Sequence, residues 1–468
     1  MASKWWTLLV VCLSIFMLLL DITIVNVALP DIQRELGSSF EDLQWVVDAY
    51  ALALAALLLA SGSLADLLGR RRVFVVGLLL FVAASLLCGL SGSPTMLNVA
   101  RGFQGIGGAM MFATSLALIA QEFQPHERGT AFGIWGATTG FAVAVGPLVG
   151  GALTDGLGWE WIFLVNVPIG LATAAITLVR VPESERDPAA RIDWAGLVTF
   201  SAALFCLIFA LIRGNDDGWG TPKIVALLVA GALLLAAFAA VELRRDQPML
   251  DLRLFRIPTF TGAQIVAFSI HASMFSMFLY ITLYMQNVLG YTPLETGIRF
   301  LPVSLLSFFA APIAGKLAER YPVRVFLTAG LALIGLGLVE MHGVNPSDDW
   351  TTLLPGFILA GVGIGFVNPP LATAAIGVVE PRRSGAASGI NSTARQVGTA
   401  VGIAGLGAIL QSKLSHGLGA GSLGGPAAAS AYIDALNDLF LVAAAVAFAG
   451  AACAAVLIRR RDFVTAAA

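Results

Sequence analysis

Residues 5–29 form one apolar run of about 25 residues, and about 20 residues of helix cross a hydrocarbon core about 30 Å thick. Runs of that kind recur at approximately 43–65, 73–91, 95–120, 130–153, 161–179, 193–212 and 223–242. They continue at 258–284, 293–314, 324–342, 352–375, 385–410 and 435–458. Lipid offers no water to backbone N–H and C=O groups, so each run must satisfy them internally. The runs are too long for barrel strands, and the reading is an all-α membrane protein with about fourteen spans. Only 12% of residues are charged, against about a quarter in soluble domains. No small-x-small cleavage site follows the first run, which is therefore read as a span and not a removable leader.

The basic residues test the count. With the N-terminus inside, about twenty of the 27 Lys and Arg fall in inner loops and about five in outer ones. The inner clusters are Arg70, Arg71 and Arg72; Arg180, Arg186 and Arg191; Arg244, Arg245, Arg253 and Arg256; Lys316, Arg320 and Arg324; Arg382 and Arg383; and Arg459, Arg460 and Arg461. Outer loops carry Asp216, Asp217, Asp348 and Asp349 instead. One miscounted span would invert every later loop, so both termini are expected in the cytoplasm. The stretch 411–434, rich in Gly, Ala and Ser, reads as a flexible outer connection, and 243–257 as an amphipathic segment on the inner surface.

Several function classes fall away at this stage. The four cysteines sit in separate runs with no metal-ligand spacing, so neither disulfides nor zinc are expected. No loop is long enough for a soluble catalytic module, no Gly-x4-Gly-Lys-Ser/Thr loop exists, and no nucleophile–base set stands out. The chain reads as a non-enzyme without cofactors, with no nucleic acid partner, and monomeric. The partner that composition itself implies is the lipid bilayer.

An internal repeat organises the helices. "GSLADLLGRRR" (Gly62 to Arg72) follows the second run and "GKLAERYPVR" (Gly315 to Arg324) the tenth. Two six-helix halves, 1–180 and 258–468, would then flank an extra pair of helices within 181–257, and paired halves around a central site are a transporter architecture. The first copy, with Gly62, Asp66, Gly69 and Arg70 to Arg72, resembles the loop signature of the major facilitator superfamily. "LDITIVNVALP" (Leu20 to Pro30), "WVVDAYAL" (Trp45 to Leu52) and "WIFLVNVPIG" (Trp161 to Gly170) resemble its fourteen-helix drug:proton antiporter branch. The resemblance implies a major facilitator fold of 14 helices arranged 6+2+6 with pseudo-twofold halves. It also implies a conformational latch built from Gly62, Asp66, Gly69, Arg70, Arg71 and Arg72. Leu67 stands where the family often has a basic residue, and Glu319 and Pro322 alter the second copy.

Asp21 is the costliest residue in the first run. At 1.5 Å per residue it lies about 24 Å from the inner end of its helix. Arg101 and Asp48 lie about 9 Å and about 7 Å from the outer ends of theirs, which puts all three in one layer. An ionisable group in a span is a functional candidate with a partner to be named. Asp21 is assigned as proton carrier, with Arg101 tuning its hold on the proton and Asp48 as a second carboxylate; a static buried pair is the alternative. Gly146, Pro147, Gly150 and Gly151 resemble the family's antiporter signature and would form a hinge at the rocking interface, with Ala142 in place of a usual glycine. The proposed substrate cavity draws on Asn26, His271, Phe275, Tyr284, Asn368 and Arg395. Phe275, Phe278, Tyr280 and Tyr284 would make an aromatic wall, Asn368-Pro369-Pro370 would break its helix, and Arg395 has no evident anion to face. Within the tenth run the segment "FLPVSLLSFFAAPIAG" (Phe300 to Gly315) has no acidic residue, where some multidrug members of the family carry one, against dicationic substrates. The leading expectation is proton-coupled export of amphipathic or cationic drugs or secondary metabolites across a bacterial cell membrane. A dedicated exporter of one metabolite or lipid, and a non-transporting sensor, are the alternatives.

Overall fold

A computed structural model describes residues 3–38, 40–124, 127–184, 193–245, 252–318, 320–380, 384–418 and 426–463. Every regular element among them is helical. In chain order these are α1 (Ser3–Leu36), α2 (Phe40–Leu68), α3 (Arg70–Gly89), α4 (Pro94–Glu122), α5 (Arg128–Leu157), α6 (Trp161–Leu164) and α7 (Asn166–Arg180). There follow α8 (Trp194–Asp217), α9 (Pro222–Glu242), α10 (Pro258–Ile270), α11 (Ser276–Leu283), α12 (Pro293–Leu317) and α13 (Val323–Glu340). The last three are α14 (Leu354–Ile376), α15 (Ser384–Leu418) and α16 (Pro426–Leu457). Twelve helical segments are long and apolar enough to cross a membrane, or 13 when the bent pair Trp45–Leu58 and Ala60–Leu68 is one span.

The boundaries depart from the apolar runs where local chemistry extends a helix beyond lipid. Helix α1 continues past Pro30 to Leu36, through the Asp31–Arg34 ion pair one turn apart. The connection expected at 411–434 is largely helix: α15 runs to Leu418 and α16 starts at Pro426, in an Ala-rich stretch of high helix propensity. Residues 419–425 lie outside the described residues, as do Arg186, Arg191, Glu319, Arg382, Arg383 and part of the inner-surface segment. The expected break at Asn368-Pro369-Pro370 does not occur. Helix α14 passes through both prolines, and the Thr373 hydroxyl donates to the Pro369 carbonyl. A proline removes one ladder donor each, and neighbouring groups can absorb that loss inside a bundle.

Two π turns, His271–Phe275 and Tyr284–Val288, interrupt the rod that starts at Pro258. In the first, the His271 carbonyl accepts from both the backbone N–H and the hydroxyl of Ser276, the latter at 2.9 Å. Such widened turns are frequent at functional sites.

The two halves meet along α5 against α12 and α14, and along α15 against α2 and α4. Small residues set the closeness. A Cβ on Gly315 would strike the Gly129 carbonyl, and one on Gly133 would sit 3.0 Å from Pro312 Cα. One on Gly136 would sit 3.3 Å from Asn368 Cβ. Farther along, Phe141 and Phe308 pack with centroids 6.0 Å apart. These contacts run from the start of α5 to its middle, joining the halves at the end where α5 begins and α12 finishes. The extra pair packs on itself through Phe200 and Phe238, at 4.9 Å, and on α2 through Phe209 and Trp45, at 5.7 Å.

Candidate functional site

Asp21 and Arg101 come together as a fully buried ion pair, 1% exposed each, with Arg101 Nη1 donating to Asp21 Oδ2 at 2.5 Å. Stripping two charges of water is expensive, and such a pair is tolerated only where the remaining valences are filled. Here five helices fill them. Gln104, one turn after Arg101 on α4, accepts from Arg101 Nη1 at 2.7 Å and donates to Asp21 Oδ1 at 2.8 Å. Arg101 Nε donates to the Val46 carbonyl on α2 at 2.8 Å, and the guanidinium lies over the Tyr50 ring at 4.3 Å. Asn166, at the start of α7, donates to Asp21 Oδ1 at 3.4 Å and to Ser85 Oγ on α3 at 3.1 Å. Ser85 in turn accepts from Gln104 and donates to the Phe163 carbonyl. Asp48 is half-buried on α2, two residues beyond Val46.

Gln104, Ser85, Asn166 and Tyr50 are absent from the sequence reading. Gln104 carries a usable signal: three residues beyond Arg101 it shares a helix face with it. The others come from separate helices.

Glycines tie this pair to the half-to-half interface. Gly146 and Gly150 of α5 lie against Thr23 and Ile24 of α1, with Ile24 Cγ1 2.8 Å from where a Gly150 Cβ would stand. A side chain at Gly146 would overlap Thr23 Oγ1, whereas Gly151 faces open space. Helix α5 therefore carries small residues on two faces, one seating α1 just past Asp21, the other seating α12 and α14. Pro147 lies within α5, and its side chain is outside the described residues, as is that of Asn26 in α1.

The loop motif closes on an acid that the sequence did not announce. Asp66 accepts from Arg70 Nε and Nη2 at 3.1 Å, and Arg70 is buried. Glu183, just past α7, accepts from the Arg71 backbone N–H at 3.0 Å and faces the Arg71 and Arg72 guanidinium groups at 3.7 and 3.6 Å. Gly69 stands at φ +106°, and a Cβ there would lie 2.6 Å from Glu183 Oε1. Only glycine fits both the backbone turn and the approaching carboxylate. Gly62 is buried in α2.

In the second half, Arg395 is buried on α15 at 3% exposure. Its Nε donates to Asn391 Oδ1 and its Nη1 to Asn368 Oδ1, both at 3.1 Å. Asn391 donates onward to Gln264. His271 Nδ1 lies 3.1 Å from Thr399 Oγ1, one turn past Arg395, and its ring stacks on Phe275 at 4.3 Å. Phe275 meets Phe278 and Phe278 meets Phe300 edge to face, and Phe300 packs tilted against Phe357. The expected aromatic wall divides: Tyr280 turns to α15 and donates to the Ile403 carbonyl, and Tyr284 is wholly buried. No group of three or more metal-ligating side chains occurs among the described residues.

Residues 11–403 match the model of the Major Facilitator Superfamily, and the chain belongs to that family. It is 39% identical over 410 residues to "Multidrug resistance protein Stp" of Mycobacterium tuberculosis, covering 87% of this chain and 76% of that one. It is also 39% identical over 407 residues to "Puromycin resistance protein pur8" of Streptomyces alboniger, covering 86% and 80%. Against "Drug efflux pump JefA" of Mycobacterium tuberculosis it is 34% identical over 449 residues, covering 95% and 88%. The human organic anion transporter MFSD10 shares the fold, at a TM-score of 0.68 with 14% identity over 96% of this chain and 99% of that one.

Proposed function

We propose that the chain is a proton-coupled antiporter that exports amphipathic drugs or secondary metabolites from the cytoplasm across a bacterial plasma membrane. Fourteen spans are the count that fits best: the thirteen apolar ones plus α5, whose 30 residues include the apolar segment Leu148–Leu157. That count puts both termini inside and gives two six-helix halves around the α8–α9 pair. The reading rests on one observation, the buried Asp21–Arg101 pair, in a chain whose relatives are named for drug resistance and efflux.

Protonating Asp21 would remove the anion that Arg101, Gln104 and Asn166 all address. Their donors would then need another acceptor or a rearranged helix packing, because unpaired donors in a dry bundle are costly. Helix α1 rests on α5 through Gly146 and Gly150 two residues beyond Asp21, and α5 rests on the other half. Charge at one carboxylate thus has a mechanical route to the contact between halves. A proton taken from outside and released inside would bias the rocking that carries substrate the other way.

The test is transport in proteoliposomes under an imposed pH gradient, with ethidium, rhodamine 6G, puromycin and the anionic dye fluorescein as cargo. Wild-type protein should concentrate at least one cargo and lose the effect on adding a protonophore. Asp21→Asn should insert and yet fail to move cargo uphill. Gradient-driven accumulation by Asp21→Asn would end the proposal.

A further inference from the structure

Arg395 is a buried guanidinium without a carboxylate partner among the described residues; its Nη2 has no hydrogen-bond partner at all. Buried charges are ordinarily paired, and buried donors ordinarily filled. Two further donors beside it are also unfilled. Asn368, whose Oδ1 takes Arg395 Nη1, leaves its Nδ2 without a partner. Trp135, fully buried, leaves its indole N–H without one, and the Arg395 guanidinium carbon lies 5.7 Å from its ring centroid. His271, whose Nδ1 meets Thr399 Oγ1, leaves its Nε2 without a partner among the described residues as well.

These groups come from both halves. Trp135 sits on α5, next to Gly136, whose face abuts Asn368, while Asn368 and Arg395 belong to α14 and α15. Arg395 lies about 16 Å along its helix, well below either surface. One cation and two neutral donors, buried together with spare valences, make a cluster whose chemistry suits an acceptor carrying negative charge. The aromatic series from Phe275 to Phe357 begins beside His271 and offers an apolar surface for the body of such a molecule.

We propose that Arg395, Asn368 and Trp135 bind the anionic group of the cargo, so that the exporter takes amphipathic organic anions: an aromatic or aliphatic body bearing a carboxylate, a sulfonate or an ionised phenol. This rests on the export reading and narrows it. Because the three donors span both halves, their occupancy would depend on how the halves are packed.

The experiment is equilibrium binding by fluorescence anisotropy, with full-length protein in phosphatidylcholine nanodiscs and no gradient. Fluorescein and rhodamine 6G share a xanthene body and carry opposite charge. Arg395→Gln should weaken fluorescein roughly tenfold to hundredfold, the worth of a hydrogen bond to a charged group, and leave rhodamine 6G within about threefold. Trp135→Phe keeps the ring and removes only the N–H, so it should weaken fluorescein roughly threefold to tenfold, and it carries the test alone if Arg395→Gln fails to fold. Unchanged fluorescein affinity in the variants, or equal weakening of both dyes, would overturn the assignment. So would displacement of fluorescein by phosphatidylglycerol added to the nanodisc, which would make the occupant a lipid headgroup. With no gradient present, a protein that proves uncoupled to protons still returns a binding result, so the two readings fail separately.

Discussion

Two buried arginines, one in each half, are accommodated by the protein in opposite ways. Arg101 has its charge matched by Asp21 at 2.5 Å, its Nε filled by the Val46 carbonyl and its flank covered by Tyr50. Arg395 has only amide oxygens, from Asn391 and Asn368, and one Nη left over. The first is a closed arrangement in which each charge meets an opposite one inside the protein. The second is an open one, incomplete without something from outside. On the proposed reading, Arg101 serves an internal charge balance and Arg395 an external partner.

The largest expected effect lies on the closed side. Asp21→Ala would strand Arg101 in a dry bundle, and breaking a buried pair from one side costs about 3–5 kcal/mol. Thermal unfolding of the purified protein in detergent should show a clear drop in midpoint. An unchanged midpoint would mean that water already reaches the pair and that the contrast between the halves is false. Gln104→Leu comes next. It removes a donor to Asp21 and an acceptor for Arg101 together, and hydrogen bonds to charged groups are worth about 1.5–3 kcal/mol each. The same unfolding measurement reads it; the ion pair survives and the leucine's apolar burial offsets part of the two lost bonds, so a loss of about 1–3 kcal/mol, below the Asp21→Ala effect, is expected.

The glycine pair sharpens the link between that closed site and the interface. Gly146→Ala should cost about 1–3 kcal/mol and depress transport, because the new methyl group has to displace Thr23 on α1. Gly151→Ala, facing open space, should leave both within error. Equal behaviour of the two variants in a flux assay would remove the α1–α5 seat from the mechanism.

How much of this was legible depended on what each residue costs in lipid. Asp21 and Arg101 stand out because an ion in an apolar run is expensive enough to demand a reason. Their common depth follows from helix rise alone. Gln104, Ser85 and Asn166 do not stand out, since a neutral polar side chain can satisfy itself on its own helix, as the Ser14 and Thr114 hydroxyls do. Glu183 was hidden differently: it lies in a charged loop, and only the fold brings it over Gly69. Thirteen of the expected apolar runs coincide with helical segments long and apolar enough to span, counting the bent pair as one, and the run at 130–153 lies within α5. The Asn368-Pro369-Pro370 break failed because a proline's lost hydrogen bond is a local penalty and the surrounding bundle is not local.

Arg395→Met is the smallest expected effect on stability and the sharpest discriminator. The operation is the same as at the first site, removal of one member of a buried polar cluster, yet no opposite charge is left behind. What remains exposed to vacancy is two amide oxygens, each worth about 1 kcal/mol as a lost neutral partner, offset by an ion no longer held out of water and by the methionine's apolar burial. The unfolding midpoint should therefore move little in either direction, about 1 kcal/mol at most. A drop of the size seen for Asp21→Ala would show that Arg395 is a structural cation with a partner in the folded protein. In that event the two arginines would be alike, and the unfilled donors of Arg395, Asn368 and Trp135 would have to be assigned to packing instead of cargo.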